Sequence, residues 1–346
     1  MKKTLVALAV AAVAATSANA ATVYEADGTK VELGGSLRLF LGKLGKDERG
    51  DLLNDKSRLI LKASQDLGDG FKALGGFEIR FDNVNGSSDK YKFGDPRTDK
   101  LYAGFAHSDV GTVTFGRQAT TGDEVDLANN AHIIGDGNNN LNTSGKKVAK
   151  FRSAEWQGFS FGADYVFGQA NKNALVHGET KYGYGASLFY SRELAQDFLF
   201  DFAAGYTKVK TDVGAGNVRP TQTFGSDVQW RAATKFTYGP ASLGAEYGQG
   251  QLKEGGVKTE ENRNLIVSLK YHVNEPIAVY TQWLNDRTKD LVNNTKETKN
   301  TIVAGVGYRL HKNVLTYVEY GYTRTKENDQ SAERDNAFGV GLRVFF

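Results

Sequence analysis

The stretch Ile302-Val303-Ala304-Gly305-Val306-Gly307-Tyr308-Arg309-Leu310 sets Ile302, Ala304, Val306, Tyr308 and Leu310 on one side of an extended chain, with Val303, Gly305, Gly307 and Arg309 on the other. A two-residue period is the signature of a strand, because successive Cβ atoms point to opposite faces. The last residues repeat it as Phe338-Gly339-Val340-Gly341-Leu342-Arg343-Val344-Phe345-Phe346. Working outward, the same alternation runs through Leu37–Leu41, Arg58–Ala63, Phe159–Tyr165, Phe198–Phe202 and Val228–Ala232. About sixteen such segments lie between residue 29 and the C-terminus, none with a sustained helical period, and no Pro or Gly cluster divides them into domains.

Composition narrows the class. The 346 residues include 40 Gly, 16 Tyr, 20 Phe and 0 Cys, with 24% charged residues. Gly exceeds its usual share of about 7%, which fits β structure with tight turns. The absence of Cys excludes a disulfide framework and thiolate metal sites. A mean hydropathy of -0.44 excludes a bundle of membrane helices, and a formal charge of +3 is too small to imply a nucleic-acid partner. Residues 1–20 read separately: Lys2 and Lys3, an apolar run from Leu5 to Ala15, then Ala18-Asn19-Ala20, the three parts of a secretory signal peptide. The expected mature protein is 21–346, a single domain.

The connections then choose the architecture. Short ones, such as Asp66 to Gly70, Gln157-Gly158, Gly239-Pro240 and His311 to Asn313, alternate with long polar ones at roughly 43–55, 83–97, 118–147, 169–181, 210–226, 250–262, 287–300 and 325–336. That arrangement matches an all-β fold: a transmembrane antiparallel β-barrel of 16 strands with short periplasmic turns and long outer loops. In lipid, a closed barrel is the only sheet with no unpaired edge. Aromatics on the outward parity, among them Tyr182, Tyr184, Tyr190, Phe198, Tyr206, Trp230, Phe236 and Tyr238, suit the two membrane interfaces. The inward positions read as a wet lumen.

Several motifs then resemble a known family: the signal segment, Lys30-Val31-Glu32-Leu33-Gly34-Gly35, Ser57-Arg58-Leu59 followed by Asp66-Leu67-Gly68-Asp69-Gly70, Gly111-Thr112-Val113-Thr114-Phe115-Gly116-Arg117, and terminal Phe346. Together they resemble the general diffusion porins of Gram-negative bacteria, nearest the major porins of the Haemophilus and Pasteurella group, over essentially the whole chain. The resemblance implies an outer-membrane location among lipid and lipopolysaccharide, a homotrimer, and a third loop folded into the pore. It implies passage of ions and small hydrophilic solutes without cofactor or metal. It also makes Phe346 the signal read by the barrel-assembly machinery. The chain lacks the Pro-Glu-Phe-Gly-Gly-Asp segment of the enteric porins.

Within the barrel reading, parity places Arg38, Arg58, Lys62, Arg80, Lys150 and Arg152 in the lumen, since each alternates with an outward Leu, Phe or Ala. The resemblance implies an arginine cluster facing acids on the inserted loop, with Arg58, Arg117 and Arg152 at matching motif positions. Simple alternation puts Arg117 with Val113 and Phe115 on the lipid face. An Arg there costs about 2–4 kcal/mol, so Arg117 is expected inside through a bulge near Gly116. The longest connection, 118–147, carries Asp123, Glu124, Asp126 and Asp136 and is the candidate constriction loop. Opposed charges across it would set a transverse field.

Competing readings are weaker. Asp136, Asn138 and Asn140 imitate the start of a calcium loop, but Leu141 stands where Gly is needed and Lys147 where the bidentate Glu belongs. His107, His132, His177, His272 and His311 have no metal spacing. An outer-membrane lipase or protease would need Ser268 and His272 in contact. Four residues apart on one strand face, they are twice the ~7 Å that separates alternate residues. An adhesin reading rests on Arg49-Gly50-Asp51 alone. A sugar-specific channel would need aromatics lining the lumen, where the sequence puts few. The outward Leu33, Leu37, Leu39, Leu41, Leu59 and Leu61 form an aromatic-poor face suited to packing against another subunit.

Overall fold

A computed structural model of the chain describes residues 20–82, 91–135, 138–170, 179–212 and 224–346. Residues 1–19 of the expected signal segment 1–20, and with them Asp136 and His177, lie outside the described residues. The first half holds β1 (Ala21–Ala26), β2 (Thr29–Lys43), β3 (Asp51–Asn54), β4 (Arg58–Gly68), β5 (Phe71–Asp82), β6 (Phe93–His107), β7 (Gly111–Ala119), β8 (Ser144–Ser153) and β9 (Phe159–Phe167). The second half holds β10 (Thr180–Ala195), β11 (Phe198–Asp212), β12 (Phe224–Tyr238), β13 (Ala241–Glu254), β14 (Val257–His272), β15 (Ile277–Asp290), β16 (Thr295–His311), β17 (Val314–Glu327) and β18 (Glu333–Phe345).

From β4 to β18 each strand pairs antiparallel with the next, β2 pairs with β4, and β18 returns to β2, so the sheet closes into a 16-strand barrel. The two remaining pieces share columns with longer strands. β3 pairs with Leu39–Gly42 of β2, while β4 pairs with Thr29–Ser36 beyond it. The break between them is at Lys56, whose φ is 57°. β1 pairs with Thr29–Leu33 where β18 has run out, so the first and last strands complete one staggered position.

Burial is inverted relative to a soluble fold. Along β16, Thr301, Val303, Gly305 and Gly307 are buried while Ile302, Ala304, Val306 and Tyr308 are exposed. The fully buried side chains include Arg231, Glu246, Gln282 and Glu319, all on the lumen side. Outward aromatics gather at two levels. Phe198, Phe200, Phe236 and Tyr238 cluster near the short turns, and Tyr184–Tyr206 and Trp230–Tyr247 pair nearer the long-loop end. These bound an apolar band of the kind that spans ~25 Å of lipid.

Two sequence expectations need correction. Three of the long connections are mainly strand: β13 and β14 meet at Gly255-Gly256, β15 and β16 at Leu291–Asn294, and β17 and β18 at Asn328–Ala332. Their polar residues continue the ladder past the apolar band, where both faces meet water and alternation has nothing to sort. The lumen is also not wet all round. Ala128, Ile133 and Ile134 of the β7–β8 connection pack on Phe40, Ile266, Leu284, Val303, Tyr317 and Ala337 of the inner wall, forming an apolar core inside the barrel.

Candidate pore constriction

The β7–β8 connection enters the lumen through a neck closed by the Thr120 amide bonding to the Thr143 carbonyl at 3.0 Å. Its backbone amides have no ladder partner, so side chains of the wall must accept them. Asp164 on β9 accepts the Thr121 amide at 2.9 Å and its hydroxyl at 2.6 Å. Glu246 on β13 accepts Leu127 and Ala128. Gln282 on β15 accepts Asn130 and Ala131 at 2.9 and 3.0 Å. Glu319 on β17 accepts His132, and Ile133 and Ile134 at 3.0 Å each, together with the Tyr280 hydroxyl at 2.8 Å. Arg343 on β18 donates to the His132 carbonyl at 2.9 Å and to Asp55 at 2.6 Å. On the return, Arg231 donates to the Asn138 carbonyl at 2.8 Å, and Thr207 accepts the Asn142 amide at 3.1 Å.

Close approach requires wall positions without side chains. A Cβ on Gly244 would stand 2.8 Å from the Ala128 Cα, and one on Gly205 would stand 2.7 Å from the Leu141 side chain. The glycine excess read as turns therefore also serves as a track on which the loop lies.

The loop is held to the wall from β9 round to β18, and the cavity that remains open is lined from β4 to β11. On that wall Arg58, Arg80 and Arg97 stand directly opposite one another on three neighbouring strands. Like charges so placed destabilise a ladder unless compensated. Glu78 accepts Arg58 at 3.3 Å, Arg80 at 2.6 Å and Lys100 at 2.9 Å. Asp99 accepts Arg80 at 3.0 Å and Arg97 at 2.9 Å, and Asp82 takes Arg97 at 2.7 Å. An open cavity of about 910 Å³ separates Arg58, Arg80, Lys100 and Arg117 of this wall from Asp123 and Asp126 of the loop.

The predicted residues thus separate into groups. Arg58, Arg80 and Arg117 line the cavity with Asp123 and Asp126. At Arg117 the β7–β8 register shifts between Gly116 and Gln118, Gly116 has φ of +138°, and the Arg117 Nε donates to the Asp99 carbonyl at 3.0 Å. Glu124 does not face the gap alone: Lys150 at 2.7 Å and Arg152 at 2.8 Å hold it to β8. Arg38 lies off the cavity, bonded to Ser36 at 2.9 Å, and Lys62 stands further down β4 opposite Glu32 and Gly76. Sequence reading missed Arg97, Lys100, Glu78 and Asp99 on the wall, and the loop-holding set Asp164, Glu246, Gln282 and Glu319. The parity that exposed Arg80 would have delivered Glu78, which is two residues away on the same face.

Residues 7–328 match the profile of the Gram-negative porin family. The chain belongs to that family. The porin is 42% identical over the full length of both chains to the major outer membrane protein of Pasteurella multocida strain Pm70, and 40% to a second one from that species. Its fold matches the trimer form of OmpT, an outer membrane protein of Vibrio cholerae, with a TM-score of 0.72 at 20% identity over 92% of this chain and 100% of that one. It also matches an anion-selective porin from Comamonas acidovorans, with a TM-score of 0.68 at 18% identity over 92% and 100%. The porin is a β-barrel of the bacterial outer membrane and a channel for passive diffusion.

Proposed function

We propose that ions and small hydrophilic solutes cross between the acids Asp123 and Asp126 and the wall cations Arg58, Arg80, Lys100 and Arg117, and that the pore prefers anions. The observation that carries this is the lining of the cavity, where seven Lys and Arg side chains outnumber four Asp and Glu. Opposite charges on facing sides align solute dipoles across the path, while the cation excess lowers the barrier for anions. The test is single-channel conductance of mature 21–346 in a planar bilayer, with the reversal potential measured in a salt gradient. Ohmic steps with an anion-selective sign support the reading. A cation-selective sign overturns the preference, and a folded barrel that does not conduct overturns the pore.

The same proposal includes cleavage after Ala20, absence of enzymatic activity, and association as a trimer through the leucine face, where Leu37 and Leu41 are 54% and 62% exposed. The OmpT structure in trimer form supports the association. Against an enzyme stands the placement of Ser268, which is 2% exposed and lies beside the Gly244 backbone under Ala128, while His272 sits at the short-turn end bonded to Pro240.

A further inference from the structure

On the short-turn side of the inserted loop, the inner wall of β12–β16 carries cations that the constriction does not use. Parity there is set by the buried lumen residues Ala233, Ser268 and Val303, and the ladders β12–β13, β14–β15 and β15–β16 run without a register shift. Lys235 on β12, Lys270 and His272 on β14 and Arg309 on β16 therefore face the lumen, between the seat of the loop and the short turns. Small inward neighbours leave them room. Lys235 stands opposite Gly244, Lys270 opposite Ser242, and His272 opposite Ala278, which in turn faces Gly307. A Cβ on Gly307 would meet nothing closer than 3.5 Å. The four lie within one another's electrostatic reach: Lys235 and Arg309 act on Lys270, and Lys270 and Arg309 act on His272.

What this wall lacks is counter-charge. No Asp or Glu occurs in residues 228–245, 265–274, 276–285 or 301–313. Asp201, opposite Lys235 on β11, accepts the Ser191 hydroxyl at 2.6 Å, and Glu275 lies in the β14–β15 turn. Among the described residues Lys235, Lys270 and Arg309 make no ion pair; Arg309 donates to the Lys312 carbonyl at 3.2 Å. At the constriction, by contrast, Glu78, Asp82 and Asp99 take up the charge of the wall cations. Cations gathered on a concave wall with low-dielectric backing concentrate counter-ions. One multivalent oxyanion can satisfy several of them at once through charge-assisted hydrogen bonds. The loop overlies this wall at Glu246 and Gln282, so the approach is from the short-turn, periplasmic side. We propose that Lys235, Lys270, His272 and Arg309 form a second anion site, facing the periplasm and separate from the constriction, which holds small multivalent oxyanions of the phosphate class. It rests on the open pore described above but not on the sign of that pore's selectivity.

The test measures block of single-channel current by inorganic diphosphate added to one chamber, with acetate at equal ionic strength as the monovalent control. Orientation is read with Asn293→Cys in the β15–β16 connection of this cysteine-free chain, which a bulky thiol reagent reaches from the outer chamber alone. Diphosphate in the periplasmic chamber should reduce the current at a concentration roughly tenfold or more below that needed from the outer chamber, an asymmetry that shrinks with salt. A variant combining Lys235→Gln, Lys270→Gln and Arg309→Gln should lose the asymmetry and keep the sign of the reversal potential, because the constriction is untouched. Arg192→Gln, which removes an outward cation opposite Phe200 at the same end of the barrel, should be blocked as wild type is. Lys270→Gln alone gives the same readout if the triple variant does not fold. Equal block of wild type from both chambers, an unchanged asymmetry in the variant, an equal loss in Arg192→Gln, or acetate as effective as diphosphate would each overturn the proposal. If the folded barrel does not conduct, calorimetric titration with diphosphate in detergent still reads the site, and equal affinity of wild type and variant overturns it. Failure of the pore and failure of the site are therefore distinct.

Discussion

Glu78 shows what one carboxylate does in this lumen. It is 3% exposed and accepts three cations from β4, β5 and β6. Removing one partner of such a cluster leaves buried charge uncompensated, which costs about 3 kcal/mol or more. Glu78→Gln is therefore expected to lower the urea midpoint of the refolded barrel. It should also move the reversal potential further toward anions, since Arg58, Arg80 and Lys100 lose their counter-charge. An unmoved potential would place this cluster outside the ion path. Parity in a single strand was enough to put Arg38, Arg58 and Arg80 inside, because each alternates with outward apolar residues. It could not show that Arg58, Arg80 and Arg97 align, because register between strands is not written in any one of them. Arg97 was also assigned to an outer loop, since its strand leaves the apolar band there and alternation ceases.

At the level of the element, the inserted loop was legible by its length and its acids, while its course was not. The groups that hold it lie far away in sequence: the Ile134 amide and Glu319 are 185 residues apart. Glu319 is 0% exposed and takes three loop amides. Glu319→Ala strands those donors, so the loop should leave the wall, giving noisy, larger conductance steps with the barrel still folded. Gly244→Val tests the track from the other side. Its Cβ would meet the Ala128 backbone at 2.8 Å, pushing the loop toward the open side and reducing conductance. Gly307→Ala, whose nearest contact is an ordinary 3.5 Å, is the matched control and should conduct as wild type. If Gly244→Val conducts normally, the loop is not seated as described.

For the whole molecule the decisive event is closure, and the first and last strands take part. The Phe346 carbonyl accepts the Gly35 amide at 2.8 Å, and its own amide donates back at 3.2 Å. Ala21 of β1 then takes over the pairing at Leu33. Closure of a sixteen-strand barrel was readable from the alternation and strand count, yet the shared position of β1 and β18 was not, because β1 is exposed throughout and carries no alternating burial. The two roles available to Phe346 can be separated. As a structural residue it contributes two backbone hydrogen bonds, each worth about 1 kcal/mol. As an assembly signal it would act before the barrel exists. Deleting Phe346 is expected to cost about 2 kcal/mol in urea titrations of barrel refolded in detergent, and to reduce folded, heat-modifiable protein in outer membranes severalfold, more than that stability loss explains. Equal effects in the two settings would leave Phe346 a structural residue alone.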